Sequence, residues 1–413
     1  MDKTIYVYAN WEGLEPPKLV GTLNSSIIRN SEVFRFSYHP EWINSDHCQQ
    51  IDADLHLYSG EQFATNNQNF RVFLDSCPDR WGRLLMQRRE SAYARRENRN
   101  VVTLNESDYL LGVHDEYRMG ALRFKSELTG DFLDNNTALA APPMSSLRDL
   151  EYAAAQIEND PDIDSDEYIK WLQMLMAPGS SLGGARPKSC VIDNDGSLWI
   201  AKFPNKADSI DVGAWEYVVY KLAIGAGIEM SECKIKKFNG EHHTFLTKRF
   251  DRTSTIRKHF SSAMAQLEYY DGDEGASYLE IAQFLINSGA TTKKDLSQLW
   301  RRIVFSIAVS NTDDHLRNHG FLFTQKGWVL SPAYDINPVV NSHGLHLNID
   351  EHDNSLDFGL AFGVIGYFQL ARSDAEAIYQ EVIDSVKNWA SEATNTGIGR
   401  NEQKIMSSAF KVA

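Results

Sequence analysis

Cysteine is scarce: the 413-residue chain has four, Cys48, Cys77, Cys190 and Cys233, and none stands in a C-x-x-C spacing. Neither structural zinc nor a disulfide framework is expected, and the thiols read as buried apolar groups. No run of about 18 apolar residues occurs, so no membrane-spanning helix is expected. The opening MDKTIYVYANWEG lacks the basic-then-apolar order of a signal peptide, which points to a cytoplasmic protein. Positive charge is short as well. A formal net charge of −15 argues against wrapping nucleic acid by a general electrostatic footprint. The basic stretch RWGRLLMQRRESAYARRENR (80–99) is the local exception, expected as one solvated face of an amphipathic helix, with DNA contact as the alternative. Standard phosphate-loop signatures are missing too. There is no G-x-G-x-x-G, and although Gly179 and Gly184 have the first Walker spacing, Ala185 stands where its lysine is required.

What is present is an ordinary globular composition, 42% hydrophobic and 23% charged, long enough for two or three domains. Strand-like alternation in TIYVYANWEGL, KLVGTLN and VFRFSY predicts a β-rich unit over residues 1–75. Helical periodicity follows at 80–98, and extended character returns at GALRF (120–124). The small-residue stretch DNNTALAAPPMSS (134–146) reads as a connection, and Ser146 with Asp149 has the spacing of a capping box opening a helix. Two strands are expected at 188–192 and 198–203 around an Asn194-Asp195-Gly196 turn, and a helix closed by Gly227 should follow DVGAWEYVVYKLAIGAGI. Beyond about 275 the pattern is mainly helical, apart from the hairpin GFLFTQKGWVL.

Three features carry chemistry. The Gly/Ser-rich turn 179–184 has small residues that let backbone N–H groups approach an anion. In LWIAKF, Lys202 shares a strand face with Leu198 and Ile200, so a cation projects from a face that otherwise favours burial and needs a partner, either a nucleotide phosphate or a carboxylate such as Glu216. In NTDDHLRNHGFLF (311–323), carboxylates and imidazoles crowd behind an apolar run, which is costly without neutralisation. Asp313 and Asn318 are separated by four residues, the spacing of a protein-kinase catalytic loop, and Asp335 lies 22 residues beyond Asp313, past a hairpin. Two Mg²⁺ ions would neutralise such a cluster. The Asp357-Phe358-Gly359 triplet lies 44 residues after Asp313, so spacing favours Asp335 as the metal ligand. His315 and His319 form an H-x-x-x-H pair without the glutamate of a zinc hydrolase motif, and His343, His346 and His352 add no matching spacing.

Together, SSLGGARPK, WIAKFP, TKRFDR, NTDDHLRNHGF and SPAYDI resemble, in order and spacing, the HipA-like serine/threonine kinases, the toxin half of bacterial toxin–antitoxin pairs. FRVFLDSCPDRWGRLLMQRR and LLGVHDEYRMGALRF extend the resemblance upstream. It implies an α+β, bilobal protein-kinase-like fold: a β-rich N-terminal subdomain over 1–140, the nucleotide-binding part of the N-lobe over 141–247, and a mainly helical C-lobe over 248–413. It implies ATP and Mg²⁺ as cofactors, Asp313 as catalytic base, and Asn318 and Asp335 as metal ligands. Gly183, Gly184, Ala185, Arg186, Pro187 and Lys188 would form the phosphate loop, Lys202 would contact the phosphates, and the backbone of Lys248 to Phe250 would meet adenine. His315 and Tyr334 would lie near the nucleotide. Ser181, or Ser180, would be the loop serine that is autophosphorylated to switch the enzyme off. The implied partners are a small helix-turn-helix antitoxin of the HipB-like kind, DNA mainly through that antitoxin, and a protein substrate such as an aminoacyl-tRNA synthetase, with no membrane. An antitoxin-binding co-repressor with little kinase activity, and a small-molecule kinase, are the competing readings. Two departures stand out: Lys248 replaces an acidic residue, and Asp314 sits where a small residue is common. Asp314 would either raise the pKa of Asp313 or recruit a basic substrate.

Overall fold

The computed structural model describes residues 2–64, 69–136, 140–159, 165–176, 184, 186–253 and 256–412. The chain divides into two compact units, one of Met1–Lys206 with Asp251–Ser261, the other of Ala207–Phe250 with Ser262–Ala413.

The first unit holds a five-stranded antiparallel sheet. Its spatial order is Gln62–Phe63, Ser31–Tyr38, Lys18–Ile28, Lys3–Ala9, Leu122–Lys125. Ile5, Val7 and Ala9 point into the core while Thr4, Tyr6 and Tyr8 are more exposed, the period-2 alternation read from the sequence. Packed with this sheet is Arg118, fully buried, whose guanidinium donates to the carbonyls of Ser76 (2.9 Å), Leu110 (2.7 Å), Val113 (2.9 Å) and Leu133 (2.9 Å). Three stretches of chain, at Ser76, Leu110–Val113 and Leu133, thus close on one cation, which supplies donors for their four carbonyls.

The basic stretch becomes the helix Arg80–Arg96. Several of its cations are paired within the unit: Arg83 binds Glu106 through two hydrogen bonds (2.5 and 2.7 Å), Arg96 pairs with Asp166, and Arg88 donates to the Ile157 carbonyl. Ser146 precedes the helix Leu147–Glu158, but its side chain caps nothing, and a 3₁₀ turn over Met144–Ser146 leads in instead of the expected capping box. The hairpin Lys188–Ile192 with Leu198–Lys202 forms as expected, turning at Gly196 with φ +81°. All five residues of the second strand are buried, so the one-faced burial read from LWIAKF becomes burial on both faces.

In the second unit the helix Val212–Gly225 starts against the strand Thr244–Lys248. A Cβ at Gly213 would sit 2.2 Å from the His243 carbonyl, which explains glycine in DVGAW. Asp211 caps this helix and also receives the His243 amide at 2.9 Å. The helices Tyr278–Ser288, Thr292–Val309 and Arg372–Val386 surround a core built on Leu299, Trp300, Ile303, Val304 and Phe305. Of the four cysteines, all free, Cys77, Cys190 and Cys233 are buried and Cys48 is half-buried. Among the described residues, no helix is long and apolar enough to cross a membrane.

His259, in the first unit, is 1% exposed and stacks on Trp11 with ring centroids 5.0 Å apart. Burial pushes its pKa down to about 3. The unfolded imidazole, with a pKa of about 6.5, binds the proton more tightly than the folded one, so acid favours unfolding. Stability should fall as pH drops from about 6.5 toward 3, by at most roughly 1.4 kcal/mol per pH unit. His259→Phe, which keeps a flat ring against Trp11, should show a shallower loss; urea midpoints measured across that window for both proteins check this.

Candidate active site

The helix Thr292–Val309 ends at Ser310, which takes the left-handed conformation (φ 51°, ψ 48°) and turns the chain sharply into the loop 311–319. The loop is fixed from within. Asn311 is buried and accepts the Asn337 amide through Oδ1 at 3.1 Å. Asn318 N donates to the His315 carbonyl at 2.8 Å, closing a 3₁₀ turn over Leu316–Asn318. The Asn318 side-chain Nδ2 donates to the Asp313 carbonyl at 2.9 Å, which leaves its carbonyl oxygen facing away from that bond.

Within this frame Asp313 is exposed, whereas Asp314 is 5% exposed. His315 lies between carboxylates. Burial lowers its pKa, and the charges of Asp313, Asp335 and Asp314 oppose that fall, with Asp313 and Asp335 the stronger. Two acidic residues 22 positions apart therefore act on one imidazole. Its ring meets His346 edge-on at 5.8 Å, and His315 Nδ1 is buried with no hydrogen-bond partner among the described residues. Asp335 has φ +57°, a strained value for aspartate, and its Oδ1 accepts Asn337 Nδ2 at 3.1 Å. Tyr334 is tied to the same loop, its hydroxyl donating to the Arg317 carbonyl at 2.8 Å, and its ring packs on Phe250 with centroids 5.5 Å apart. Lys248 donates its amide to the Glu232 carbonyl at 2.8 Å, at the end of its strand.

Asp357 has another task. It caps the helix Phe358–Gly363, accepting the Gly359 amide at 2.7 Å. His319 does not face outward with His315; its ring packs edge-on against Tyr278 at 5.6 Å, and its Nε2 lies 3.0 Å from Asp314 Oδ1, close enough for an ion pair though not aligned as a hydrogen bond. Burial raises the Asp314 carboxyl, but His319 and Tyr278 outweigh it and hold the pKa below the ordinary value. The Asp314 carboxylate is thus turned inward, where Tyr278 and His319 meet it.

In the first unit, the register makes Lys188 and Lys202 cross-strand partners, two buried ammonium groups rooted opposite each other. Lys188 is not open toward solvent. Its Nζ donates to Asp79 Oδ2 at 2.6 Å and to the Gly184 carbonyl at 2.8 Å, in a pair only 3% exposed on each side. Asp79 meanwhile caps the helix Arg80–Arg96, its Oδ1 accepting the Gly82 amide at 2.8 Å, and Trp81 Nε1 donates to the Lys188 carbonyl at 3.1 Å. Pro187 is buried and its carbonyl accepts the Phe203 amide at 2.9 Å, while Arg186 is half-buried. Among the described residues, a Cβ at Gly184 would meet no atom within 4 Å. Ser180, Ser181, Gly183 and Ala185 lie outside the described residues. Lys202 and its sequence-suggested partner Glu216 are both buried, in different units.

A family profile for the HipA-like C-terminal domain matches residues 180–390. The chain belongs to the HipA-like family. Two relatives carry kinase names: Y4dM of Sinorhizobium fredii, 28% identical over 184 residues covering 38% of this chain and 44% of that protein, and a Haemophilus influenzae protein, 25% identical over 179 residues covering 38% and 52%. The matches thus span about half the length of these curated relatives. A solved HipA chain from the Shewanella oneidensis MR-1 complex of HipA, HipB and operator DNA aligns with a TM-score of 0.65 at 16% identity, over 98% of this chain and 94% of that one. The shared fold is α+β and kinase-like.

The donors of this HipA-like loop suit Mg²⁺. Asp335 and Asn318 offer carboxylate and carboxamide oxygens, the hard ligands that ion takes, and His315 Nδ1 is buried without a hydrogen-bond partner among the described residues. Among the described residues no three His, Cys, Asp or Glu side chains gather to hold a metal alone, whereas Mg²⁺ shared with nucleotide phosphates needs only one or two carboxylates. Sequence reading overlooked Asp79 and Tyr278, and weighed His346 only as a zinc ligand. Only Asp79 carried a signal, an N-cap spacing to Gly82, and that spacing does not reveal a lysine 109 positions away.

Breaking the Asp79–Lys188 pair from one side should be costly. Asp79→Ala leaves an ammonium buried without its carboxylate and should lower unfolding free energy by about 3–5 kcal/mol. Asp79→Leu combined with Lys188→Met should recover most of the loss. Urea denaturation of the two variants and the unaltered chain tests this, and equal midpoints for Asp79→Ala and the unaltered chain would refute it.

Proposed function

We propose that the chain is an ATP-dependent serine/threonine protein kinase of the HipA type, a toxin that phosphorylates a component of translation and itself. The ties between the loop and the segment that bears Asp335 carry this reading: Tyr334 donates to the Arg317 carbonyl at 2.8 Å and Asn337 N to Asn311 Oδ1 at 3.1 Å. In it, Asp313, exposed at the loop tip, orients the attacking hydroxyl and takes its proton. Asp335 and Asn318 would hold Mg²⁺, which with bound ATP supplies the phosphoryl group and screens its charge. Lys202 would meet the phosphates from the nucleotide-binding part (141–247), the backbone from Lys248 to Phe250 would meet adenine, and Tyr334 would border it. The Phe250–Tyr334 packing supports the last assignment, since it unites two residues 84 positions apart next to the loop. The Asp79 ion pair gives Lys188 the part of anchoring the end of the phosphate loop at Gly184, alongside Gly183, Ala185, Arg186 and Pro187.

Ser181, with Ser180 as the alternative, is the proposed autophosphorylation site, where a phosphoserine of about −2 charge would repel ATP. The Shewanella complex supports a small helix-turn-helix antitoxin as partner, with DNA contacted through it. An aminoacyl-tRNA synthetase is the proposed substrate and the cytoplasm the proposed compartment.

Incubating the purified chain with [γ-³²P]ATP and Mg²⁺ should label a peptide containing Ser181. Asp313→Asn should cut labelling by about 100- to 10,000-fold, and Asp335→Asn should abolish it, while both keep the melting temperature. Full labelling by Asp335→Asn overturns the metal assignment. Label in a metabolite would indicate a small-molecule kinase, and absence of ATP binding would leave the antitoxin-binding role alone.

A further inference from the structure

Adjacent residues in a loop meet opposite surroundings: Asp313 faces solvent and Asp314 is sealed inside. Three elements meet on the Asp314 carboxylate. Tyr278, first residue of the helix Tyr278–Ser288, donates its hydroxyl to Oδ2 at 2.5 Å. Ser306, in the last turn of the helix Thr292–Val309, donates to the same oxygen at 3.4 Å. His319, immediately before the strand Gly320–Thr324, places Nε2 3.0 Å from Oδ1. Arg302, one turn before Ser306, is buried as well and donates to the Ser331 carbonyl at 2.6 Å, so the negative charge sits in a region that also holds a fixed cation.

We propose that Asp314 is a positioning residue that pins the loop 311–319 and so fixes the direction of Asp313. The inference rests on the phosphotransfer reading given above. The chain turns tightly here, Thr312 N donating to the Ser310 carbonyl at 2.9 Å and His315 N to the Asp313 carbonyl at 3.1 Å, so a carboxylate held inward at 314 fixes the turn that carries Asp313 outward. Swinging Asp313 in would pull Asp314 from three partners and strand a tyrosine hydroxyl and an imidazole in a dry interior. The Asn318 bond to the Asp313 carbonyl then closes the same segment from its other end. Reaction geometry would therefore be set before nucleotide arrives, which lowers the ordering needed at the transition state.

The test uses Tyr278→Phe, Asp314→Ala and Asp314→Asn in the full chain. Tyr278→Phe removes one oxygen and keeps the ring against His319. It should slow self-labelling at saturating ATP about tenfold with KM for ATP within about twofold, and speed hydrogen exchange of the 311–319 amides about tenfold. Asp314→Ala should lose about a hundredfold in kcat, and Asp314→Asn, which still accepts from Tyr278, should recover most of it. Unchanged exchange and unchanged kcat per folded molecule in Tyr278→Phe would overturn the proposal, and that variant decides even if Asp314→Ala fails to fold. An unaltered chain that transfers no phosphate would defeat the kinase reading, while the exchange measurement would still judge the pin.

Discussion

The geometry of the candidate site depends on dividing a row of acidic groups between water and a dry interior. A carboxylate leaves water only if hydrogen bonds and a cation replace its hydration. Tyr278 and Ser306 donate to Asp314, the buried Arg302 cation lies in the same region, and Asn318 holds the backbone carbonyl of Asp313. Everything displayed outward at the loop, Asp313 with His315 beside it, follows from what is secured inward. The long helix ending in a left-handed Ser310 delivers the chain to this point, and the hairpin Gly320–Thr324 with Gly327–Leu330 carries it away toward Asp335.

The first unit handles buried charge in the same way. Arg118 gathers four carbonyls, and Asp79 serves two donors at once, a helix amide and the Lys188 ammonium. In both places a charged group stands where the backbone has no ladder, and it supplies the directional bonds that irregular segments lack. The same ammonium also holds the Gly184 carbonyl, four residues before the strand Lys188–Ile192 begins.

Much of the fold was legible in the text. Alternation gave the N-terminal strands, the basic stretch formed its helix, and both hairpins turned where glycine allowed. The order of the loop's groups, Asp313, Asn318 and then Asp335, was legible too, because spacing is a property of chain order. The capping-box spacing at Ser146 misled, since a 3₁₀ turn took the lead-in and left the hydroxyl without a capping bond. Lys188, the last residue of the expected phosphate loop, pairs with Asp79, a partner that no local pattern announced.

Chain order by itself determined which elements form and in what sequence the acidic, amide and cationic groups arrive, because periodicity and spacing act over a few residues. Only the tertiary structure decided which of two adjacent aspartates is buried, and that a helix-capping aspartate 109 positions upstream neutralises Lys188. The physical reason is that desolvation and ion pairing are settled by whichever groups packing brings within a few ångströms, and no local pattern encodes those distances.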